Sequence, residues 1–322
     1  NYYRLDLFNN ERKSIKPKHK LGDSPLRFNW QTPILISPHN QDIIYFGSNK
    51  LHRSFNKGDD WEEISKDLTS GGKKGNVPYG TITSFDESNF QFGKLIVGSD
   101  DGIVSISNDS GKTWKSVSDN LPPDLWVSRV IFSKHEKNTI YLSLNGYRYN
   151  DFKPYIYVSN DNGDSWENIS SNLPLSPVNV IREDINRKEI LYVGTDNGLF
   201  ISFNSGKKWH PFESSLNRVA VHDLVIQNEK NDLLVGTHGR SIYKTNLDLF
   251  NDFINEKNEE KPLIIFEIND LRHSNSWGKR SNYSDDVFNS SVKTIVYSDK
   301  SIVHDYTITD NFNNILNKGQ LN

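Results

Sequence analysis

Five aspartates, four arginines and two histidines of this 322-residue chain have the types and placement to act on a polar ligand. Asp100, Asp101, Asp151, Asp196 and Asp223 lie at strand starts or in loops. Two such carboxylates flanking a glycosidic bond would serve as acid and as base or nucleophile. The reaction needs them about 5–5.5 Å apart for retention of configuration, or roughly 6.5–9.5 Å for inversion. Arg129, Arg148, Arg182 and Arg240 present planar donor forks that match carboxylates and other oxyanions. Trp30 and Trp126 offer aromatic faces, Asn145 offers an amide, and His222 and His238 can ligate or move protons. With no Cys, thiolate zinc sites, iron–sulfur clusters and cysteine nucleophiles are excluded together. Asp161-Asn162-Gly163-Asp164 faintly resembles a calcium loop but lacks its ligand spacing and distal Glu. No metal and no cofactor is expected.

Composition narrows the partners. Lys+Arg 38 against Asp+Glu 41 gives a formal net charge of −3, which argues against a general nucleic-acid binder. No apolar run approaches the roughly 20 residues of a membrane helix, so no membrane insertion is expected. Aromatic residues make up 12% of the chain, too many for intrinsic disorder and suited to sheets. Met is absent, so the chain reads as part of a longer polypeptide, and the lack of a signal peptide carries no information.

The elements that must position these residues are set by a repeat. Four octets of the form S-x-[DN]-x-G-x-x-W begin at Ser54, Ser107, Ser159 and Ser202, 53, 52 and 43 residues apart. Their marker residues are Asn56, Gly58 and Trp61; Asp109, Gly111 and Trp114; Asp161, Gly163 and Trp166; Asn204, Gly206 and Trp209. Each octet reads as a hairpin turn. The Asx side chain is expected to accept N–H groups two residues on, the Gly to take positive φ, and the Trp to bury itself between sheets. Runs such as Lys94–Gly98 and Ile190–Gly194 precede the octets and short runs such as Trp114–Val117 follow them. Every unit is therefore four antiparallel strands, A to D, in about 40–50 residues: a propeller blade. A fifth unit, over Val219–Leu224, Asp232–Gly236 and Ser241–Tyr243, has no octet.

A blade places its C–D octet turns on one face and its strand-A starts and B–C loops on the other, around the axis. That second face is expected to carry Asn29, Trp30, Asp100, Asp101, Trp126, Arg129, Asn145, Tyr147, Arg148, Asp151, Asn179, Asp196, Asn197, His222, Asp223, His238 and Arg240. Arg182 falls level with Leu35, Ile131 and Val225 when the A strands are aligned. It is either paired with Glu183, Asp184 or a neighbouring blade's carboxylate, or an anion-binding arginine on the axis. His222 and His238 are open to a structural reading and a ligand-binding one, and Gly236–Arg240 to a tight turn or a contact loop.

The octet resembles the Asp-box, or BNR repeat, of sialidases, GH74-type glycosidases and VPS10/sortilin propellers. Further segments are similar to one group of secreted bacterial proteins, the sortilin-N-terminal-like "BNR-repeat glycosyl hydrolases". They are Arg27-Phe28-Asn29-Trp30, Ser65-Lys66-Asp67-Leu68-Thr69, Trp126-Val127-Ser128-Arg129-Val130, Asn145-Gly146-Tyr147-Arg148, Pro177 to Asp184, Val219 to Leu224 and Gly236 to Arg240, within residues 20–250. The resemblance implies an all-β protein with a propeller over 1–250, about five blades that form part of a larger array. It further implies a linker at 251–261 and the start of an immunoglobulin-like (FlgD-like) module over 262–322. Asn1 to Asp6 reads as the last strand of a preceding blade. An extracellular or cell-envelope location in a bacterium, suggested also by the Asn-, Lys- and Ile-rich composition, goes with it.

Three functions remain open on the residues: a sortilin-like propeller that recognises a peptide or glycan, a glycoside hydrolase using paired carboxylates, and a structural part of a surface assembly. In each, the remaining blades of the same polypeptide are partners. The Arg-Ile-Pro opening of sialidase propellers is absent, which demotes that chemistry.

Overall fold

The computed structural model describes residues 2–72, 79–212, 216 and 218–248, with short stretches at 263–265, 296–298, 303–309 and 312–321. The chain divides into two compact units, Asn1–Thr245 and Asn246–Asn322. In the first unit a hairpin of β1 (Tyr3–Leu5) and β2 (Arg12–Ser14) precedes five antiparallel sheets, each a meander in sequence order. Blade I is β3 (Ile34–Ile36), β4 (Ile44–Gly47), β5 (Leu51–Ser54) and β6 (Glu62–Glu63). Blade II is β7 (Ile82–Glu87), β8 (Leu95–Ser99), β9 (Val104–Ser107) and β10 (Lys115–Ser116). Blade III is β11 (Trp126–Phe132), β12 (Ile140–Asn145), β13 (Tyr155–Ser159) and β14 (Glu167–Asn168). Blade IV is β15 (Val178–Glu183), β16 (Leu191–Thr195), β17 (Gly198–Ser202) and β18 (His210–Pro211). Blade V has three strands among the described residues, β19 (Val221–Gln227), β20 (Asp232–Thr237) and β21 (Ile242–Asn246). The fold is an all-β propeller. In the second unit β22 (Leu263–Ile265) pairs with β23 (Val296–Ser298), and β24 (His304–Thr309) with β25 (Ile315–Leu321). The linker proposed at 251–261 and most of the immunoglobulin-like segment lie outside the described residues.

The inner strands B and C are buried residue after residue because both of their faces are covered. β8, β9, β16 and β17 are buried along their whole length, whereas the two-residue D strands are largely exposed. The cores consequently lie between blades. One joins Ile96, Val104 and Ile106 of blade II to Val127, Val130 and Leu142 of blade III. The next joins Tyr141, Ile156 and Val158 of blade III to Ile181, Leu191 and Val193 of blade IV.

The octets close these cores. In every one the serine Oγ accepts the glycine N–H, at 2.7–2.9 Å. The Asx Oδ1 accepts the N–H of the residue four positions on, each at 2.9 Å. This corrects the two-residue expectation. The turn spends two successive residues in the left-handed region, such as Asn162 (φ 60°) and Gly163 (φ 89°), and that carries the chain past the nearer N–H. A Cβ on Gly163 would stand 2.8 Å from Val117 Cβ of blade II. Each octet tryptophan then donates its indole N–H to a carbonyl of the preceding sheet: Trp61 to Ile15, Trp114 to Ile64, Trp166 to Val117 and Trp209 to Ile169, at 2.7–2.9 Å.

The N-terminal hairpin joins the same scheme. Ile15 N–H donates to Tyr2 O as Ile64 does to Leu51, Val117 to Val104 and Ile169 to Ile156. Tyr3–Leu5 is thus a third strand, with Arg12–Ser14 as the fourth, rather than the last strand expected from Asn1 to Asp6. Its turn, Leu5 to Arg12, has no Ser, Gly or Trp and so hides from a motif search.

The Asp161 carboxyl is held down to about 2, first by the Ser165 hydroxyl and backbone N–H and then by Ser159. Its folded pKa lies below its unfolded one. Its contribution to stability is therefore complete above about pH 4 and is lost as pH falls through 2. Asn56 and Asn204 fill the same position, so Asp161→Asn should leave the Tm at pH 7 unchanged and remove part of this acid sensitivity. Asp161→Ala should lower the Tm at pH 7 and also near pH 3. Calorimetry of the two variants is the check, and equal losses at pH 7 would refute this account.

Candidate functional site

The A strands of all five blades border one cavity of about 1120 Å³. The residue after the first or second position of strand A bulges in blades II to V: Thr83, Ser128, Asn179 and His222. A bulge turns an extra side chain away from the ladder. The first three bulged residues reach the next blade, Thr83 Oγ1 donating to Val127 O (2.7 Å), Ser128 Oγ to Val178 O (2.8 Å) and Asn179 Nδ2 to Val221 O (3.2 Å). They pin the inner wall.

Trp30, Trp126, Arg129, Asn145, Arg148, Arg182, Asp196, His222, Asp223 and His238 all line the cavity, together with Asn29, Tyr147 and Asn179. Trp30, 78% exposed, and Tyr147 stand at it from blades I and III. The Arg148 guanidinium lies over the Trp126 ring, 3.8 Å from its centre, a cation–π contact. Asn145 Nδ2 donates to Asn179 Oδ1, and Asn179 Nδ2 to Asp196 Oδ1, both at 2.8 Å. The His222 and His238 rings are 5.1 Å apart, and burial with the His238 charge lowers the His222 pKa.

Arg129 Nη2 and Arg182 Nη2 converge on Asp223 Oδ1, at 2.7 and 3.5 Å, while Arg182 Nε donates to Leu224 O at 2.7 Å. The pairing of Arg182 is thus with the next blade. Glu183 instead accepts Ser133 Oγ and Lys134 N–H of blade III, and Asp184 accepts the Tyr192 hydroxyl. Burial, and then the nearby Arg129 charge, bring Arg182 down to about 10. Asp86 also lines this wall and accepts the Phe132 N–H. Burial pushes its carboxyl up to about 6, against the pull of Phe132 N–H and Arg182. Sequence reasoning missed Asp86; its signal was its level in strand A, the same as that of Arg182.

Four candidates fall outside the cavity. Asp100 accepts the N–H groups of Gly80 and Thr81 and the Thr81 hydroxyl; Asp101 accepts Ser70 N–H and Oγ and the Ser99 hydroxyl. Both are buried tethers for the chain entering blade II. Asp151 accepts the Tyr155 hydroxyl at 2.6 Å and shapes the Tyr147–Tyr149 turn, and Arg240 is exposed away from the lining. No group of three or more potential metal ligands occurs among the described residues, and no helix among them is long and apolar enough to cross a membrane.

Solved structures similar in fold include the GH74 xyloglucanase of Xanthomonas campestris (TM-score 0.54, 15% identity, 69% of this chain and 37% of that one). An ancestral GH74 enzyme (0.55, 14%, 92% and 39%) and YCF48 bound to D1 peptide (0.52, 12%, 75% and 70%) are also similar. The vacuolar protein sorting/targeting protein PEP1 of Saccharomyces cerevisiae is 31% identical over 99 residues, 31% of this chain. That match spans 5% of the yeast protein's length. The family model described as sortilin, neurotensin receptor 3, matches residues 154–320, just over half of the chain. That match covers more than half of the chain and includes the Asp-box turns that begin at Ser159 and Ser202, so the chain belongs to the sortilin/Vps10 family.

Proposed function

We propose that the cavity captures a peptide ligand bearing a negatively charged group, outside the cell or in the cell envelope. The observation that carries the reading is Arg148 over Trp126: a guanidinium held against an indole in a cavity wall, with no hydrogen bond of its own among the described residues. An arginine so fixed loses little freedom on forming a bidentate pair with a carboxylate. Trp30 and Tyr147 add exposed aromatic surface of the kind that anchors ligands. A propeller of similar fold, YCF48, carries a peptide. The three carboxylates on the wall, Asp86, Asp196 and Asp223, are each engaged by groups of the wall itself, which favours binding over glycoside hydrolysis.

Arrays of acidic, basic and neutral peptides, with a glycan array beside them, test the reading. Acidic peptides should bind, and Arg148→Ala should weaken that binding by about tenfold or more, the worth of a charged hydrogen bond, with the Tm unchanged. Retention by glycans alone, or turnover of a glycan, would replace this function with the saccharide reading.

A further inference from the structure

The interface between blades I and II departs from the packing that its two successors share, and the departure opens another cavity. The residue before each octet serine lies opposite the first residue of strand D: Arg53 with Glu62, Ile106 with Lys115, Val158 with Glu167 and Ile201 with His210. One position earlier stand His52, Ser105, Tyr157 and Phe200. Between blades II and III, Ile106 shares a core with Tyr157; between blades III and IV, Val158 shares one with Phe200. Between blades I and II the corresponding pair is Arg53 and Ser105. A guanidinium replaces the aliphatic side chain, and a small hydroxyl residue replaces the ring. What remains is a cavity of about 830 Å³, a size suited to small molecules, sharing no lining residue with the cavity bordered by the A strands.

The Arg53 side chain is only 9% exposed in this wall. Its Nη2 donates to Glu62 Oε2 at 3.0 Å and its Nη1 to Ser110 O at 3.3 Å. Three of its five N–H groups, Nε–H included, therefore have no acceptor among the described residues. A buried cation costs free energy unless it is paired, and the one carboxylate that pairs with it, Glu62, is 59% exposed. Lys66 and Lys112 also line the cavity and have no ion pair among the described residues. Its other carboxylates are taken, Glu63 by Lys50 and Asp67 by Arg27. Trp114 and Ile103, both half-buried, supply an apolar wall. A packing rule kept at the sister interfaces and broken here is characteristic of a functional place.

We propose that this cavity binds a monosaccharide-sized organic anion, its carboxylate or sulfate group paired with Arg53, Lys66 and Lys112 and its ring against Trp114 and Ile103. The volume and the mixed wall suit a ring that carries a charge rather than a bare ion. The oxyanion takes the place of the exposed Glu62 carboxylate, so the guanidinium has a partner in both states. Ser105 is the permissive residue, since a ring at its position, as in blades III and IV, would fill the space.

Ligand-observed NMR titrations of the 322-residue chain test this, with glucuronate, glucose 6-sulfate, inorganic sulfate and glucose as probes. At least one sugar anion should bind with a Kd of about 1 mM, the scale for a ligand of about 13 non-hydrogen atoms, and whichever binds tighter identifies the oxyanion. Glucose should bind at least about tenfold more weakly, and Arg53→Gln should cost the sugar anions a similar factor. Glu62→Gln removes the competing carboxylate and should strengthen binding by up to about fivefold. Arg53→Ile with Ser105→Tyr, the pair that seals the next interface, should abolish binding without lowering the Tm. Arg148→Ala, in the other cavity, should leave these affinities unchanged. Failure of both sugar anions to bind, or inorganic sulfate binding as tightly as they do, would overturn the proposal. So would retained affinity in the sealed variant, weaker binding in Glu62→Gln, or loss of binding in Arg148→Ala, which would move the ligand to the cavity of the A strands.

Discussion

Trp209→Ala should cost about 4 kcal/mol, the middle of the range for emptying a core aromatic site. Trp209 is 1% exposed, whereas the other octet tryptophans are only partly buried. Its ring belongs to the core between blades III and IV, and its indole N–H satisfies Ile169 O at 2.7 Å. Its main chain is clasped by Asn172, which accepts Trp209 N–H and donates to Trp209 O, both at 2.8 Å. Truncation would therefore leave a cavity and an unpaired buried carbonyl together, and these penalties add. Trp209→Phe should retain most of the ring's packing and lose about 1–2 kcal/mol, chiefly the hydrogen bond. Urea midpoints at constant slope measure both. If Trp209→Ala and Trp166→Ala destabilise alike and by under about 2 kcal/mol, the tryptophan is not the closing piece of the interblade core.

The second large effect is a loss of stability in mild acid governed by His52. This residue lies on β5, 1% exposed, with its ring Nε2 3.0 Å from Ser48 Oγ. Burial lowers its pKa to about 4, partly countered by the Glu63 charge. The folded value is thus below the unfolded value of about 6.5, so the unfolded chain binds the proton first. Stability due to neutral His52 is complete above pH 6.5, declines as pH falls and levels off near pH 4. The full span, at 1.36 kcal/mol per unit, is about 3 kcal/mol. Urea unfolding at pH 7.5 and 4.5 should show it, and His52→Gln should flatten that difference. A variant with the parent's pH dependence would assign the acid loss to other groups.

The octets made the blades legible from sequence because each needs a glycine at positive φ and a tryptophan at a fixed distance, and few other residues can substitute. The N-terminal hairpin escaped notice because it reaches the same geometry through Leu5 to Arg12 without those residues. The site was legible by face and less so by residue. Trp126, Arg129, Arg148 and Asp223 meet at one cavity because strand A and the B–C loop bring them there. Asp100 and Asp101 have the same side chain as Asp223, yet the turn after β8 directs them inward to main-chain N–H groups. The bulges at Thr83, Ser128 and Asn179 leave no mark in composition, since Thr, Ser and Asn suit a bulge, a turn or an exposed strand equally well. Whether a carboxylate faces ligand or backbone depends on register, and register is fixed by packing between blades.

The tryptophan-to-carbonyl bonds span 46, 50, 49 and 40 residues of sequence. Each loop closed is therefore of nearly the same moderate length, so the entropy of closure is much the same at every step. A nascent chain emerging from a ribosome or a translocation pore could lock each sheet onto the previous one as soon as about one repeat had appeared. No tryptophan latch among these waits for distant sequence. Assembly would then run in one direction at a steady pace, and a stall would expose a single unlatched sheet instead of an entire unfolded ring.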